Sequence, residues 1–328
     1  MSLSALVDVR IRSFLEERRV AVPQATSLIA EIDRVISAGG KRLRPAFCYW
    51  GYRAAGGAEG DEIVGVASAF ELLHTFAIVH DDIMDSSAER RGQPTTVSTL
   101  GMERALLVGD LALVLADAAF WGSGFSPERL CGAFSEFTTM REQVIAGQHM
   151  DLEAHNRAID ETAAREIAIL KSGSYSIEHP LLIGALLGDA DKELLDALRA
   201  FGRPLGEAFQ LVDDLLGIFG DPTTTGKPID SDIREGKRNV LFAKTVAALD
   251  DTDRGYFLSK WGGGEALSVD DVSRLRGLID SSGARESTEE LVAELARAAS
   301  GALARAPIPE DARSGLGDLM GATITRTH

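Results

Sequence analysis

The chain has 328 residues, of which 45% are hydrophobic and 26% are charged, so it has enough apolar material for a sizeable globular core. Its formal net charge of −16 opposes non-specific binding to nucleic acid or to an anionic membrane surface, and neither class of partner is expected. The two cysteines, Cys48 and Cys131, lack the spacing of a metal site and are predicted to be buried, reduced core thiols.

The N-terminal segment carries charges at Asp8, Arg10 and Arg12, inside what would be the apolar part of a signal peptide. No stretch of about 18 uncharged apolar residues occurs along the chain, so we expect no membrane span. A cytoplasmic location is the resulting expectation.

Apolar residues recur at intervals of three and four along nearly the whole chain, which is the period of an amphipathic helix. No convincing strand alternation is present, so the sequence predicts an all-α fold. Several helices are apolar on most of their circumference, which is typical of central helices in a large bundle. No break resembles an interdomain linker, so we predict a single domain over 1–328, with more polar outer helices over about 250–328.

The first motif in chain order is the basic segment "GGKRLRP" at 39–45. Its two glycines free backbone amides, and Lys41, Arg42 and Arg44 add cationic donors. Such a combination suits a phosphate group.

The next motif is an apolar helix, "ELLHTFAIVHDDIMD" at 71–85, that ends in carboxylates. Asp81 and Asp85 are four residues apart and therefore lie on one face, with Asp82 adjacent. Three carboxylates this close cannot all stay ionised in a partly buried cleft without counter-charge. Because no cysteine or histidine stands at ligand spacing, the carboxylates favour a hard divalent cation such as Mg²⁺.

Cations and a histidine accompany this acidic helix. Arg90 and Arg91 follow it directly, and His74 lies about two turns before Asp81 on the same face. We interpret His74 as pointing toward an anion site, with an ordinary core histidine as the alternative. His80, beside Asp81, allows no assignment.

Further polar groups lie on later helices. Gln148 and Asp151 occur in an inward-looking segment, and Lys171 is a lone cation in an apolar helix, where a buried ammonium group needs a partner. Lys227 and Lys237 follow in polar segments and provide two more candidate phosphate ligands.

A second acidic pair, Asp213 and Asp214, lies on another apolar helix, with Gln210 three residues before Asp213. The position one turn after Asp213 is Gly217, and Asp221 lies about two turns beyond Asp214. The residues together predict a cavity among helices, with Mg²⁺ on two opposed walls, cations at the mouth and apolar side chains below. An apolar molecule with a diphosphate head fits that description.

The chain resembles the trans-isoprenyl diphosphate synthases of the polyprenyl synthetase family, over about 30–245 and in unbroken family order. The matching segments are "GGKRLRP" (39–45), "ELLHTFAIVHDDIMD" (71–85), "RRGQPT" (90–95), "GQHMDLE" (147–153), "LKSGSY" (170–175), "FQLVDDLLGIFGD" (209–221), "TGKP" (225–228) and "EGKRN" (235–239). The resemblance implies a homodimer with the isoprenoid synthase fold, which joins an allylic diphosphate to isopentenyl diphosphate with about three Mg²⁺ ions per site. Mn²⁺ is the alternative metal.

The resemblance also implies a role for each matching residue. Asp81, Asp85 and Asp213 would ligate Mg²⁺, and the catalytic set is completed by Asp82, Asp214 and Lys171. The residues that would hold isopentenyl diphosphate are Lys41, Arg44, His74 and Arg91. The residues that would hold the allylic diphosphate are Arg90, Lys171, Ser172, Gln210, Lys227 and Lys237.

The chain departs from the family pattern at two positions. Gly217 stands where the family often has a third aspartate, and Asp221 is a candidate substitute. Ser172 stands where the family commonly has threonine, and it keeps the hydroxyl group. We expect neither change to abolish activity.

Two residues before the first acidic cluster bear on product length. Phe76 lies about 7–8 Å before Asp81 along the helix axis, and Ala77 follows it. Phe76 is aromatic and Ala77 is not. In the family, a single aromatic residue at the position of Phe76 is similar to the pattern of enzymes that form geranylgeranyl diphosphate (C20). Farnesyl diphosphate (C15) and longer products are the alternatives, and simple core packing is the other interpretation of Phe76.

Two other classes of protein compete with this interpretation. A class I terpene cyclase would show an Asn/Ser/Glu metal motif instead of the second Asp pair, and no basic segment at 39–45. A non-catalytic partner subunit would tolerate loss of the acidic clusters. Both clusters and their cations are present, so we expect an active prenyltransferase.

Overall fold

The structure, a computed structural model, describes residues 1–155, 157, 159–220 and 230–324. Within those residues the only strands are Glu89–Arg90 (β1) and Gln93–Pro94 (β2), which pair as an antiparallel hairpin. Helices make up nearly all the remaining regular structure, so the predicted all-α class is confirmed.

The helices of the N-terminal half vary from one turn to more than seven turns. They are α1 (Leu3–Ala21), a 3₁₀ turn (Pro23–Ala25), α2 (Thr26–Ser37), α3 (Leu43–Ala54), α4 (Asp61–Met84), α5 (Thr96–Leu100), α6 (Met102–Trp121) and α7 (Pro127–Ala154).

The C-terminal half is helical as well and includes one π-helix. Its elements are α8 (Glu161–Ala168), the π-helix (Ile169–Glu178), α9 (His179–Leu187), α10 (Lys192–Phe219), α11 (Ser231–Glu235), α12 (Val240–Ala248), α13 (Asp251–Lys260), a 3₁₀ turn (Gly264–Ala266), α14 (Val269–Ser281), α15 (Ala284–Arg305) and α16 (Glu310–Ile324).

Polar side chains fix where several helices begin. Each accepts a hydrogen bond from a backbone N–H of the first turn, which has no partner inside the helix. These capping residues are Ser2, Thr95, Asp160, Asn239, Asp250 and Ser268.

The chain divides into two compact units, each made of three stretches. The first unit comprises Met1–Phe137, Pro180–Leu195 and Ile308–Leu316, and the second comprises Thr138–His179, Asp196–Pro307 and Gly317–His328. Four of the five boundaries fall inside the helices α7, α9, α10 and α16 rather than in a linker. The single domain over 1–328 stays a prediction.

The core of the first unit is centred on α4. Its buried Phe70 meets the ring of Phe137 at 5.6 Å between centroids, and Phe120 lies 5.0 Å from Phe137. Helix α4 is also long and apolar enough to cross a membrane, since an 18-residue window has a mean hydropathy of 1.6. That window is 72% buried inside the protein, as a core helix would be.

The core of the second unit includes three aromatic rings packed against one another. Phe242, Phe257 and Trp261 lie 4.9–5.8 Å apart between centroids and contact Leu275 and other apolar side chains of the same cluster. Phe257 is the one buried residue of α13, which explains why the sequence of that helix is polar.

The cysteine prediction is half right. Cys48 is fully buried in α3, and burial raises the pKa of its thiol well above the usual value. Cys131 is exposed, so its prediction as a core thiol is wrong. It lies in α7 beside Leu130 and Ala133, which occupy the buried face of the helix. The apolar residues around Cys131 in the sequence therefore did not predict that Cys131 itself is exposed.

Candidate active site

The first acidic cluster lies at the C-terminal end of α4, in the first unit. Asp82 is 3% exposed, and Asp85 caps the helix through a backbone hydrogen bond to Asp81 of 2.8 Å. The Nε of Arg90 lies 2.7 Å from Asp82 Oδ1 and its Nη2 lies 3.1 Å from Asp81 Oδ2. Burial opposes the charge of Arg90, but the carboxylates of Asp82 and Asp81 outweigh it and raise the pKa of Arg90.

The hairpin determines where the two arginines that follow the acidic cluster point. β1 and β2 are joined by Arg91 and Gly92, which both have positive φ values of 54° and 68°. Positive φ at both central residues is the geometry of a type I′ turn, which folds a strand pair back sharply. The turn directs Arg90 to the carboxylates and Arg91 to the backbone carbonyl of Gly39.

The basic segment and the hairpin gather positive charge around His74. The pKa of His74 is lowered well below its usual value by burial and then by the charges of Arg44, Arg91, Arg90 and Arg42. The pKa of Arg91 is also lowered, by burial and by the nearby Arg90 guanidinium. Arg44, His74 and Arg91, three of the residues predicted to hold isopentenyl diphosphate, therefore share a region rich in cations, which suits an anion.

Lys41 completes that predicted set, and its side chain is exposed next to Gly40. Lys41 is thus accessible to a ligand from solution. The role of these four residues in binding isopentenyl diphosphate stays a prediction.

Arg42, which the basic segment offers as another phosphate ligand, is engaged by the protein instead. It is 8% exposed, and its guanidinium donates to Glu71 Oε2 at 2.8 Å, Asp8 Oδ1 at 2.8 Å and the Ile36 carbonyl at 2.9 Å. These bonds join the start of α3 to α1, α2 and α4. Arg42 is therefore engaged by the protein at the start of α3, and it is not among the residues predicted above to hold a diphosphate.

Phe76 and Ala77 are both half-buried on α4. The ring of Phe76 meets the ring of His80 edge-on, with 4.9 Å between centroids and 69° between planes. His80 in turn lies over Gly109 of α6, where a Cβ atom would come within 2.2 Å of its Nε2, and that Nε2 is 3.3 Å from the Leu106 carbonyl. His80, which the sequence left unassigned, thus supports the Phe76 ring.

In the second unit, Lys171 lies in the π-helix and has a specific partner. Its Nζ lies 2.5 Å from Asp151 Oδ2 of α7, and Asp151 is 7% exposed. The prediction that this ammonium group needs a partner is confirmed. Ser172 follows Lys171 and is half-buried.

Close backbone packing positions this part of the π-helix. A Cβ atom at Gly173 would lie 2.6 Å from the Gly206 carbonyl of α10, and one at Gly147 of α7 would lie 2.3 Å from the Lys171 nitrogen. The glycines allow three helices to touch by their backbones. Lys171 is held between them as a result.

The second acidic pair lies on α10. Gln210 Nε2 donates to Asp214 Oδ1 at 2.8 Å, and Asp214 is 5% exposed, whereas Asp213 is half-buried. Burial and the charges of Asp232 and Asp213 raise the pKa of Asp214 well above its usual value, against the hydrogen bond from Gln210 and the charge of Lys237. Gln210, predicted to contact the allylic diphosphate, is engaged with Asp214.

Lys237 and an acidic residue that sequence reasoning missed lie near this pair. Lys237 Nζ is 3.2 Å from Asp232 Oδ1 and 3.0 Å from Glu235 Oε2. A lone aspartate in a polar segment carries no periodic signal, which is why Asp232 escaped notice. Lys227 and Asp221 lie in 221–229, outside the described residues.

The acidic residues fit a metal that is completed by other ligands. Among the described residues, no three His, Cys, Asp or Glu side chains converge to hold an ion by themselves. Mg²⁺ usually keeps several waters, takes one or two carboxylates and shares the phosphates of a substrate. Asp81, Asp85 and Asp213 are oxygen donors of that kind, and Asp213 is followed by the buried Asp214, whose pKa is raised by burial and by the charges of Asp232 and Asp213.

This chain is similar to known proteins of one family. The sequence matches the polyprenyl synthetase family over residues 26–276. It is 34% identical over 267 residues to a geranylgeranyl diphosphate synthase of Saccharolobus solfataricus, covering 80% of this chain and 78% of that protein. It is 37% identical over 256 residues to a (2E,6E)-farnesyl diphosphate synthase of Mycobacterium tuberculosis, covering 75% of this chain and 68% of that protein.

A solved structure is also similar. The crystal structure of a geranylgeranyl pyrophosphate synthase from Corynebacterium glutamicum, complexed with isoprenyl diphosphate and magnesium, matches with a TM-score of 0.93. The sequences are 31% identical, and the match covers 99% of this chain and 100% of that chain. The chain therefore belongs to the polyprenyl synthetase family. It has the isoprenoid synthase fold and is a prenyltransferase that acts on isoprenoid diphosphates.

Proposed function

We propose that this chain joins isopentenyl diphosphate to an allylic diphosphate and that its main product is geranylgeranyl diphosphate. The two relatives compared above are named for a C20 and a C15 product, so similarity alone does not choose between those lengths. The observation that carries the proposal is the Phe76 ring, which is supported from one side by His80. One bulky residue near the acidic cluster leaves room for a longer product than two would.

The reaction needs charge stabilisation at a leaving group and protection of a carbocation. The allylic C–O bond breaks, and the diphosphate leaves with the electron pair. The terminal carbon of the isopentenyl double bond then attacks the allylic carbon, and a proton is lost to the released diphosphate. Mg²⁺, when bound, supplies positive charge to that diphosphate.

The residues of the chain prepare this step by holding charges in place. Arg90 pairs with both Asp81 and Asp82 and holds their carboxylates in place, which suits carboxylates that are to bind a cation. Lys171, oriented by Asp151, and Lys237, oriented by Asp232, are proposed to bind the oxygens of the allylic diphosphate.

We propose Mg²⁺ as the metal, held by Asp81, Asp85 and Asp213, with about three ions per site. The all-oxygen donor set supports this choice over a softer metal. Omitting Mg²⁺, or chelating it, is expected to abolish product formation, and Zn²⁺ is expected to restore it poorly. Full activity in the presence of a chelator would contradict the proposal.

We also propose that the protein is a homodimer. Helix α6 exposes Leu107, Val114 and Trp121, which are spaced seven residues apart and so lie on one face, with exposed fractions of 53%, 61% and 43%. A stripe of large apolar side chains on one helix face is typical of an interface with another protein. A second copy of the chain is the proposed occupant.

The test of the activity is a product analysis. The purified protein is incubated with Mg²⁺, isopentenyl diphosphate and, separately, the C5, C10 and C15 allylic primers, and the dephosphorylated alcohols are identified. Mainly C20 alcohol from each primer is the expected result. A stop at C15, or products of C25 and beyond, would overturn the product length and leave the reaction class intact.

The same assay separates the competing classes. A terpene cyclase would consume the prenyl diphosphate without isopentenyl diphosphate. A non-catalytic subunit would give no elongation from any primer. Either result would overturn the proposed activity.

A further inference from the structure

The hairpin that carries Arg90 and Arg91 is too short to hold its own shape. β1 and β2 have two residues each, and an isolated two-stranded hairpin is at best marginally stable in water. Ser86, before β1, and Arg91, in the turn, have φ values of 53° and 54°, in the left-handed region that side chains disfavour. Such a conformation persists where the surrounding structure determines it. The placement of the two arginines therefore depends on contacts outside the hairpin.

Thr95 closes the base of this hairpin. It follows β2 directly and is 3% exposed. Its Oγ1 donates to the Ser87 carbonyl at 2.8 Å, and its backbone N–H donates to the Ala88 carbonyl at 3.0 Å. Ser98 Oγ donates to the same Ala88 carbonyl at 2.9 Å. The two carbonyls that precede β1 are thus bonded to the chain that follows β2.

The Thr95 hydroxyl also joins the hairpin to helix α5. Thr95 is the N-cap of α5, and its Oγ1 accepts a hydrogen bond from the Ser98 backbone N–H at 3.3 Å. One oxygen therefore donates to the chain before the hairpin and accepts from the helix after it. Because α5 has only five residues, it needs contacts beyond its own backbone bonds to stay ordered.

A buried carboxylate on α2 fixes α5 in turn. Thr96, the first residue of α5, is 2% exposed, and its Oγ1 donates to Glu31 Oε1 at 2.8 Å. Arg34 holds Glu31 with bonds of 2.8 and 2.6 Å. Burial alone would raise the pKa of Glu31, but the hydrogen bonds from Arg34 and Thr96 outweigh it and lower that pKa. The base of the hairpin is thereby attached to the body of the first unit.

The two arginines lie on the part of the hairpin that the Thr95 bonds close. From there Arg90 reaches Asp81 and Asp82, and Arg91 reaches the Gly39 carbonyl. A small rotation at the base would move both guanidinium groups by a larger distance, because they lie farther from the pivot.

We propose that Thr95 is a positioning residue for diphosphate binding, whose hydroxyl fixes the base of the hairpin and thereby sets where Arg90 and Arg91 lie. This inference rests on the proposed function, in which both arginines contact diphosphates. Because Thr95 is buried, it acts through the arginines rather than by contact with a substrate.

The test removes the hydroxyl and keeps the shape of the side chain. Thr95→Val should raise KM for isopentenyl diphosphate about tenfold, since a small misplacement of a binding group weakens its contacts. Thr95→Ser restores the hydroxyl and should return KM to within about threefold of the value for the unchanged protein. An unchanged KM for Thr95→Val, or no recovery in Thr95→Ser, would overturn the inference.

A milder variant tests the same clasp without a buried substitution. Ser98 is exposed, and Ser98→Ala removes only its bond to the Ala88 carbonyl. We expect KM for isopentenyl diphosphate to rise about threefold, because the backbone bond from Thr95 to that carbonyl remains. A fall in KM for Ser98→Ala would contradict the role of the clasp.

Thr288→Val separates positioning from a general loss of stability. Thr288 is fully buried in α15, and its Oγ1 also donates to a backbone carbonyl, that of Ala284, at 2.7 Å. Both valine variants lose a buried hydroxyl bond and should lower Tm, but only Thr95→Val should raise KM. An equal rise in KM for Thr288→Val would show that stability alone is responsible and would overturn the inference.

A final readout does not depend on prenyl transfer. Binding of inorganic pyrophosphate with Mg²⁺ to the full chain is measured by isothermal titration calorimetry, well below Tm. Thr95→Val is expected to bind about tenfold more weakly, whereas Thr95→Ser and Thr288→Val should bind like the unchanged protein. If prenyl transfer failed in the unchanged protein while this pattern held, the proposed function would fall and the role of Thr95 would stand. Equal binding by Thr95→Val and the unchanged protein would overturn the inference.

Discussion

The Phe76 side chain is the residue on which the proposed product length depends. Phe76→Ala removes the ring that meets His80 and should shift the main product from C20 to C25 and longer, because the growing chain gains depth. The products are measured as dephosphorylated alcohols by gas chromatography with mass spectrometry. Phe70→Leu, in the buried core of α4, is the control and should lower stability without lengthening the product. An unchanged product distribution for Phe76→Ala would show that the ring is core packing only.

In the ligand-free protein, His74 is expected to stay neutral at pH values at which a free histidine would become protonated. Burial and four nearby arginines lower its pKa. Below about pH 6.5 the unfolded chain therefore binds a proton that the folded chain does not. The contribution of His74 to the free energy of unfolding is complete above that pH and falls as the pH falls, by at most about 1.4 kcal/mol per pH unit.

Nuclear magnetic resonance checks the state of His74 directly. The imidazole signals that disappear in His74→Gln should show no protonation between about pH 7.5 and pH 6, close to the ordinary histidine pKa. The same variant should lose part of the pH dependence of unfolding below that pKa. Protonation of His74 near the ordinary value would contradict the expected burial among cations.

The side-chain partners of individual residues could not be predicted from the sequence pattern. Arg42 and Arg44 stand two positions apart in one basic motif, and composition does not distinguish them. The structure does, because Arg42 turns to Glu71 and Asp8 at the start of α3. Its φ of 51°, in the left-handed region, follows from the path of the chain there rather than from a local preference of arginine.

At the scale of elements, the π-helix depends on close contact with its neighbours. Gly173→Ala would place a Cβ atom 2.6 Å from the Gly206 carbonyl, so the π-helix and α10 would have to separate. We expect a loss of about 1–3 kcal/mol in the free energy of unfolding. Activity should fall as well, because Lys171 lies two residues away.

Urea unfolding and the prenyl transfer assay measure these two effects. Gly277→Ala is the matched control on an exposed helix, and it should stabilise the protein by about 0.5–1 kcal/mol with activity unchanged. If Gly173→Ala were as stable as the unchanged protein, the helices would not be packed by backbone contact at this point.

The elements differ in how well the sequence predicted them. The helices follow the three- and four-residue period because each buries one face or, like α4, more than half of its residues. The period does not distinguish α-helix from π-helix over Ile169–Glu178, because the wider turn depends on close packing against other helices. The two-residue strands were missed for a related reason, since their pairing is set by the turn at Arg91 and Gly92.

At the scale of the whole molecule, the exposed stripe on α6 predicts a homodimer. Analytical ultracentrifugation of the unchanged protein should give twice the chain mass of 35.1 kDa. Val114→Arg should shift the protein to monomer, since burying an unpaired charge in an interface is costly. Val269→Arg, on α14 and 81% exposed, is the control and should leave the mass unchanged. A monomeric unchanged protein would contradict the proposal.

The sequence by itself determined the fold class, the family and the positions of the two acidic clusters. Hydrophobic period is a local property, and carboxylates four residues apart share a helix face in any helix, so both can be inferred without tertiary contacts. The placement of Arg90 beside Asp81 and Asp82 could be anticipated in part, because those residues are near one another along the chain.

Only the tertiary structure decided which charged groups meet across distant parts of the chain. Glu71 with Arg42, Asp151 with Lys171, and Asp232 at Gly217 are pairs separated by 15 or more residues, and no local pattern connects them. The two ion pairs form because a buried charge needs a partner. Asp232 lies against Gly217 because glycine has no side chain to fill that space. Those requirements are satisfied by packing, which the sequence encodes only through the complete fold.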